Sequence, residues 1–280
     1  MSSNKKLLKL KLYLSEILSF LVIQALGLFV GLRLFSIPEV KAQVEAHPVK
    51  WTDFLIAFVV GTVLIFLAIK VFKKGIFFRI FIGSLIFFGC LIVFGAFMPD
   101  IPAIVLTIAC IYFYYRRPKV ITQNIAIGLA ICGAGVILGL SITVWQVLIL
   151  LAVLSVYDII AVWKTKHMIK LFEGLAEKGV IMALIIPSKI SNIRADLRQV
   201  KSGEEFLLLG TGDIAFPIIF AVSALKYSIW SSIAVILGAL LGLSFIHFFF
   251  IAKKERKPIP ALPPIAVGSA IGFFISLLFI

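Results

Sequence analysis

Apolar runs long enough to cross a lipid bilayer recur along the whole of this sequence, and they constrain the fold more than any other feature. Broken at charges, prolines and polar clusters, the chain yields nine such segments: 15–35, 54–72, 76–97, 101–115, 121–140, 143–163, 206–225, 229–250 and 260–280. The fourth is the shortest, but Pro99-Asp100-Ile101-Pro102 precedes it and Arg116-Arg117-Pro118-Lys119 follows it. Lipid offers the backbone no hydrogen bonds, so every spanning segment is expected to be a helix. The expected fold class is all-α: a polytopic membrane protein with nine transmembrane helices. Composition agrees, because 62% of the chain is hydrophobic and only 14% is charged, where a soluble domain carries roughly 25%. That balance argues against a soluble enzyme, a disordered chain and a secreted disulfide scaffold. The first segment follows Lys5, Lys6, Lys9 and Lys11; its length and the lack of a small-x-small cleavage site make it a retained signal anchor.

The net charge is +14. With nine spans and the N-terminus inside, 23 of the 27 Lys and Arg fall on the inner side. Only Arg33, Lys41, Lys50 and Lys226 remain outside. The positive-inside rule therefore sets the N-terminus in the cytoplasm and the C-terminus outside a cell membrane crossed many times. Basic residues dispersed over so many loops give no single face for nucleic acid.

The 13 acids are more selective. Glu39, Glu45, Asp53 and Asp100 belong to outer loops, and Glu173, Glu177, Asp196, Glu204, Glu205 and Glu255 to inner ones. Glu16 sits at the inner edge of the first span, where it is expected to snorkel. Asp158 and Asp213 alone fall well inside spans, the sixth and the seventh. These helices run antiparallel, which sets the two acids roughly 8 and 10 Å from the inner surface. A carboxylate in a membrane is costly and marks function by default. Two carboxyls at one depth, one protonated and one ionised, are the state that aspartyl hydrolysis needs. The carboxylate takes a proton from the attacking water and its partner donates one to the scissile carbonyl. No metal and no cofactor is required. The rival reading is a proton-coupled transporter or channel with the pair as a relay, but the sequence shows no inverted repeat.

Asp158 stands in Val156-Tyr157-Asp158, Asp213 in Gly210-Thr211-Gly212-Asp213, and the ninth span opens with Pro260-Ala261-Leu262-Pro263. This ordered trio resembles the presenilin/signal peptide peptidase family of intramembrane aspartyl proteases, in its archaeal or bacterial-type form. The resemblance implies a presenilin-like bundle with Asp158 and Asp213 as the catalytic pair. It implies that Gly210, Thr211 and Gly212 shape the active-site backbone, and that Tyr157, Pro260, Ala261 and Leu262 line the site. Tyr157, one residue along a helix, points about 100° away from Asp158. Thr211 stands where leucine is common in the family, and Pro263-Pro264 is nearer the presenilin pattern. The implied partners are transmembrane-helix proteins or peptides and membrane lipid; a homo-oligomer is compatible with the sequence. The chain then divides into 1–163 (spans one to six), a cytoplasmic loop 164–205, and 206–280 (spans seven to nine).

Within the loop, the apolar island 180–187 is too short to span and reads as a helix or turn on the membrane surface, or as a gate over the aspartates. Cys90, Cys110 and Cys132 lie in apolar runs as small hydrophobes, with no disulfide framework. His47, His167 and His247 are far apart and form no metal motif. Four small-xxx-small pairs, Gly27/Gly31, Gly135/Gly139, Gly238/Gly242 and Gly268/Gly272, predict close helix approaches.

Overall fold

The structure, a computed structural model, describes residues 2–46, 49–71, 75–165, 181–197, 200, 205–251 and 259–279. Ten α-helices lie among the described residues, all but the polar α2 following the apolar pattern: α1 (Ser2–Phe35), α2 (Pro38–Ala46), α3 (Trp51–Val71), α4 (Gly75–Gly95), α5 (Asp100–Arg116), α6 (Val120–Ser141), α7 (Val144–Ile159), α8 (Thr211–Ala224), α9 (Ile229–Ile246) and α10 (Leu262–Ser276). A π-helical turn, Ile160–Lys164, extends α7, and another, His247–Ile251, extends α9. Among the described residues, six helical stretches are long and apolar enough to cross a membrane: Leu10–Phe35, Ile76–Gly95, Val120–Ser141, Val144–Lys164, Ile229–Phe249 and Leu262–Phe279. Helix α5 has 17 residues, and α8 is a shorter apolar helix of 14.

The helix α8 is the hub. It packs against α1, α6, α7, α9 and α10, and every residue from Pro217 to Ala224 is buried. A helix apolar on all sides is what such a position requires. Around it, α4 packs on α5 and α6, and α9 on α10. The predicted small-residue pairs all meet neighbours. A methyl at Gly27 would strike Ile218 at 2.8 Å, and one at Gly31 would strike Val222 at 2.9 Å. Gly135 and Gly139 lie against Ile218 and the Ile219 carbonyl, Gly238 faces Gly268, and Gly272 faces the Ala234 carbonyl.

Three expectations change. Residues 206–225 are not one helical span, because Phe206–Gly210 is a strand, β2, and α8 begins only at Thr211. Its partner β1 (Ala183–Pro187) comes from the apolar island of the long loop, which is therefore neither a surface helix nor a turn. The pairing is antiparallel, with Ala183 opposite Gly210 and Pro187 opposite Phe206. Side chains alternate across the ribbon. Leu184, Ile186 and Leu209 join the main core, while Ala183, Ile185 and Phe206 close over Val120 at the start of α6. Residue 180 and most of the segment before it lie outside the described residues, as do His47, His167 and the bases 253–257.

The outer edge of β1 is held by α6. Asn124 donates from Nδ2 to the Ile185 carbonyl at 2.7 Å and accepts the Ile185 amide on Oδ1 at 2.9 Å, as a third strand would. Gln123 adds a bond to the Ile181 carbonyl at 2.5 Å. Asn124→Ala leaves two strand groups unpaired, and each costs about 1–3 kcal/mol if it stays buried. The variant is expected to unfold several degrees earlier in a thermal melt.

The third change concerns Glu16, which does not snorkel. It is fully buried and its carboxylate meets His247 Nδ1 at 2.5 Å, clasping α1 to the end of α9. Tyr13 reinforces that contact, its ring tilted against that of His247 with centroids 4.9 Å apart, and bonds Ser244 at 2.9 Å. Cys90 and Cys132 are buried as expected, and the Cys90 and Cys110 thiols meet at 3.7 Å between α4 and α5.

At the opposite end, Lys226 lies in the turn between α8 and α9. Its Nζ donates to the Ile142 carbonyl, at the C-terminus of α6, at 2.8 Å. A cation is favoured at a helix C-terminus, yet burial wins and pulls the ammonium from its ordinary 10.5 down to about 8. Between these values the unfolded chain holds the proton and the folded chain has released it. Stability is therefore expected to rise with pH from about 8 to 10.5. Thermal melts across that range should show the rise in the wild type and a flatter profile in Lys226→Met.

Candidate active site

The geometry of the site starts from how three chain segments end. Helix α7 is launched by Thr143, which accepts the Gln146 amide while Gln146 Oε1 accepts the Thr143 amide. Gln146 Nε2 also reaches the Val49 carbonyl at 2.8 Å. Asp158 sits in the last turn of α7, immediately before the π-helical turn, a form of helix frequent at functional sites. Its side chain is turned inward, and the residue is 8% exposed.

Asp213 is not deep within a helix, as the apolar run suggested. It is the third residue of α8, three positions beyond the end of β2. Gly210 caps the helix, and its backbone amide faces the Asp213 carboxyl, which thus reaches back over its own N-terminus. A Cβ at Gly210 would stand 2.9 Å from Asp213 Oδ2, so any side chain there would push the carboxyl out of its place. Gly212 is less constrained, since a Cβ there would meet the Phe216 ring at 3.4 Å. Thr211 is half-buried between them. Asp213 lies within electrostatic range of Asp158, and α7 and α8 pack together.

The third segment is Pro260-Ala261-Leu262. The first helical residue of α10 is Leu262, with Pro263 and Pro264 directly behind it. A helix start leaves its first amides without partners, and the two prolines have none to offer. The Leu262 amide is the donor left, and it is given to Asp158 Oδ2 at 3.3 Å. Leu262 itself is buried and belongs to a core cluster built from α7, α8, α9 and α10. Pro260 is buried and Ala261 half-buried beside it. Tyr157 is 48% exposed, in keeping with the rotation away from Asp158.

The structure thus brings together Asp158, Asp213, Gly210 and Leu262, and leaves Tyr157 facing outward. Two features were missed by the sequence reading. The β1–β2 ribbon was readable in principle: 180–187 and 206–210 are short apolar runs bounded by Gly or Pro, the pattern of buried strands. Gln24, on α1, carried no signal at all; it is fully buried and donates to the Ile214 carbonyl at 2.9 Å.

A multi-pass helical bundle with two carboxyls converging at the ends of neighbouring helices has the form of a membrane-embedded aspartyl hydrolase. The family described as signal-peptide peptidase, presenilin aspartyl protease matches residues 17–280. The chain belongs to that family and is an aspartic-type intramembrane protease. Two solved structures, each of a presenilin family intramembrane aspartate protease, share its fold. One is 24% identical with a TM-score of 0.61, covering 94% of this chain and 95% of that one. The other is 22% identical with a TM-score of 0.62, covering 94% and 96%. A search of curated proteins gives no match. The comparisons lend no support to the transporter reading.

Proposed function

We propose that Asp158 and Asp213 are the catalytic pair of this intramembrane endopeptidase, acting on peptide bonds within transmembrane segments of membrane proteins or signal peptides. The observation that carries the assignment is the bond from the Leu262 amide to Asp158. It joins two motifs 104 residues apart at a carboxyl within electrostatic range of Asp213. The ionised member of the pair removes a proton from water as its oxygen attacks the scissile carbon. The protonated member donates to the carbonyl oxygen. Collapse of the tetrahedral species breaks the C–N bond, with a proton delivered to the leaving amine. The two carboxyls titrate as one unit, so neither role belongs to one residue alone.

The ribbon supports a way to present the bond. The Ser188 amide donates to the Glu205 carbonyl, so by alternation Leu207 and Leu209 bond toward β1. The backbone groups of Phe206 and Leu208 face the other edge, and among the described residues no third strand follows β2. An unwound substrate can add there as a strand, in line with Gly210 and Asp213.

We further read the chain as nine spans with the N-terminus inside: 1–163 carrying Asp158, a cytoplasmic loop 164–205, and 206–280 carrying Asp213. Gly210, Thr211, Gly212, Pro260, Ala261 and Leu262 line the site, with Tyr157 at its margin. This orientation favours substrates whose N-terminus is outside. Reporter fusions at each terminus test it: a cytoplasmic signal from the C-terminal fusion overturns the arrangement. For the reaction, purified protein in detergent with a synthetic transmembrane peptide is expected to yield two fragments cut within the apolar stretch, identified by mass. An intact peptide after prolonged incubation with folded protein counts against the proposal.

A further inference from the structure

The first turn of α8, which carries Asp213, is weakly held by its own helix. Pro217 lies four residues after Asp213 and has no amide, so the Asp213 carbonyl lacks its ordinary helical donor. The preceding residues are a capping glycine and Thr211-Gly212, with Gly212 among the poorest helix formers. Apart from the Gly210 amide at the Asp213 carboxyl, what orients this turn comes from outside the helix.

One side chain adds a directional contact to the packing of α8. Gln24 projects from the middle of α1 and donates Nε2 to the Ile214 carbonyl at 2.9 Å, across 190 residues of sequence. Gln24 is fully buried, and so is Ile214. A buried amide in an apolar bundle is costly unless bonded, yet Gln24 Oε1 has no protein partner. Bundle packing does not need this polar group, because Gly27 and Gly31 already seat α1 on Ile218 and Val222 one and two turns further along. The one bond Gln24 makes goes to the residue next to Asp213.

We propose that Gln24 is a positioning residue for the reaction: its amide, held by α1, fixes the first turn of α8 so that Asp213 faces Asp158. The inference rests on the catalytic reading of Asp213. Among the described side chains, the titratable groups on α1 and the elements packed around it are Lys11, Tyr13, Glu16 and Arg33 on α1 itself, His247 at the end of α9, Cys132 on α6 (bonded to the Ile23 carbonyl), Asp213 on α8, and Glu39, Lys41 and Glu45 on α2.

The test measures kcat and KM on a transmembrane peptide for wild type, Gln24→Met, Gln24→Glu and Asp213→Asn. Met keeps the length and removes the donor. Its kcat is expected to fall on the order of 10–100-fold, the cost of a small misplacement of a reacting group, with KM little changed. Glu restores a donor only while its carboxyl is protonated. Gln24→Glu is therefore expected to recover activity at acid pH and lose it as pH rises, along a profile steeper than that of the wild type. A merely structural role would show as loss of folded protein when the buried carboxyl ionises, so circular dichroism accompanies the profile, and the inference requires kcat to fall while the protein stays folded. A folded Gln24→Met with kcat within about twofold of the wild type overturns the proposal. So does a Gln24→Glu that follows the wild-type profile without recovery in acid. If Gln24→Met fails to fold, the acid and neutral limbs of Gln24→Glu in one preparation decide alone. Undiminished cleavage by Asp213→Asn sinks the catalytic reading and this inference with it. An inactive Asp213→Asn beside a wild-type-like Gln24 series fails this inference only.

Discussion

Asp158→Asn and Asp213→Asn are each expected to abolish peptide cleavage while leaving the folded bundle in place. Asparagine is the informative replacement because it separates structure from chemistry. At position 158 an amide oxygen can still accept the Leu262 amide, now at 3.3 Å from the carboxylate. At position 213 it can still face the Gly210 amide. What disappears is the proton that each carboxyl gains and loses. A positioned acid or base contributes about 10²–10⁴ in rate, and this mechanism uses one of each. Because the two act as a unit, the double variant is expected to be no slower than either single one. Cleavage by mass spectrometry, with helical content from circular dichroism and monodispersity from gel filtration, reads both halves of the prediction. Alanine at 158 is a different experiment. It removes the acceptor at the start of α10, so loss of activity there mixes chemistry with displacement of Leu262. Survival of cleavage in either asparagine variant refutes the pair.

The parts of this arrangement differ in how far they were written in the sequence. Helix positions follow from apolar length, which is why α4, α6 and α9 begin and end within a few residues of the expected segments. The carboxyl pair was legible because the bilayer excludes charge, leaving Asp158 and Asp213 conspicuous. The same logic misplaced Glu16. Snorkelling assumes that a carboxylate near the interface finds only water, whereas His247, 231 residues away, provides a buried partner. The strand β2 was hidden for another reason: Phe206-Leu207-Leu208-Leu209 is equally apolar as helix or strand, and only pairing with 183–187 decides. Asn124 and Gln24 were silent because each acts through one backbone group brought to it by the fold. Hydropathy sees segments, and these residues matter through contacts.

Gly242→Leu is expected to cost both stability and catalysis, through the packing of α9 on α10. A Cβ at this position would collide with the Pro264 carbonyl oxygen and stand 2.7 Å from Ile265 Cα. Both obstacles are backbone, so no rotamer change relieves them and the two helices must part. Overpacking of this kind costs about 1–3 kcal/mol, and more where the backbone must move. The catalytic cost has a separate route. Pro264 is two residues beyond Leu262, whose amide reaches Asp158 at 3.3 Å, near the long limit for a hydrogen bond. A shift of α10 by roughly half an ångström is enough to break it, and misplacement on that scale lowers rates by up to about 10²-fold. Gly61→Leu is the matched control, since nothing stands within 4 Å of a Cβ there; it is expected to melt and cleave like the wild type. The two measurements also rank the contacts. If Gly242→Leu lowers the melting temperature but cleaves at the wild-type rate, Leu262 serves only to cap α10. If cleavage falls further than stability accounts for, the Leu262 amide holds Asp158 in its working position.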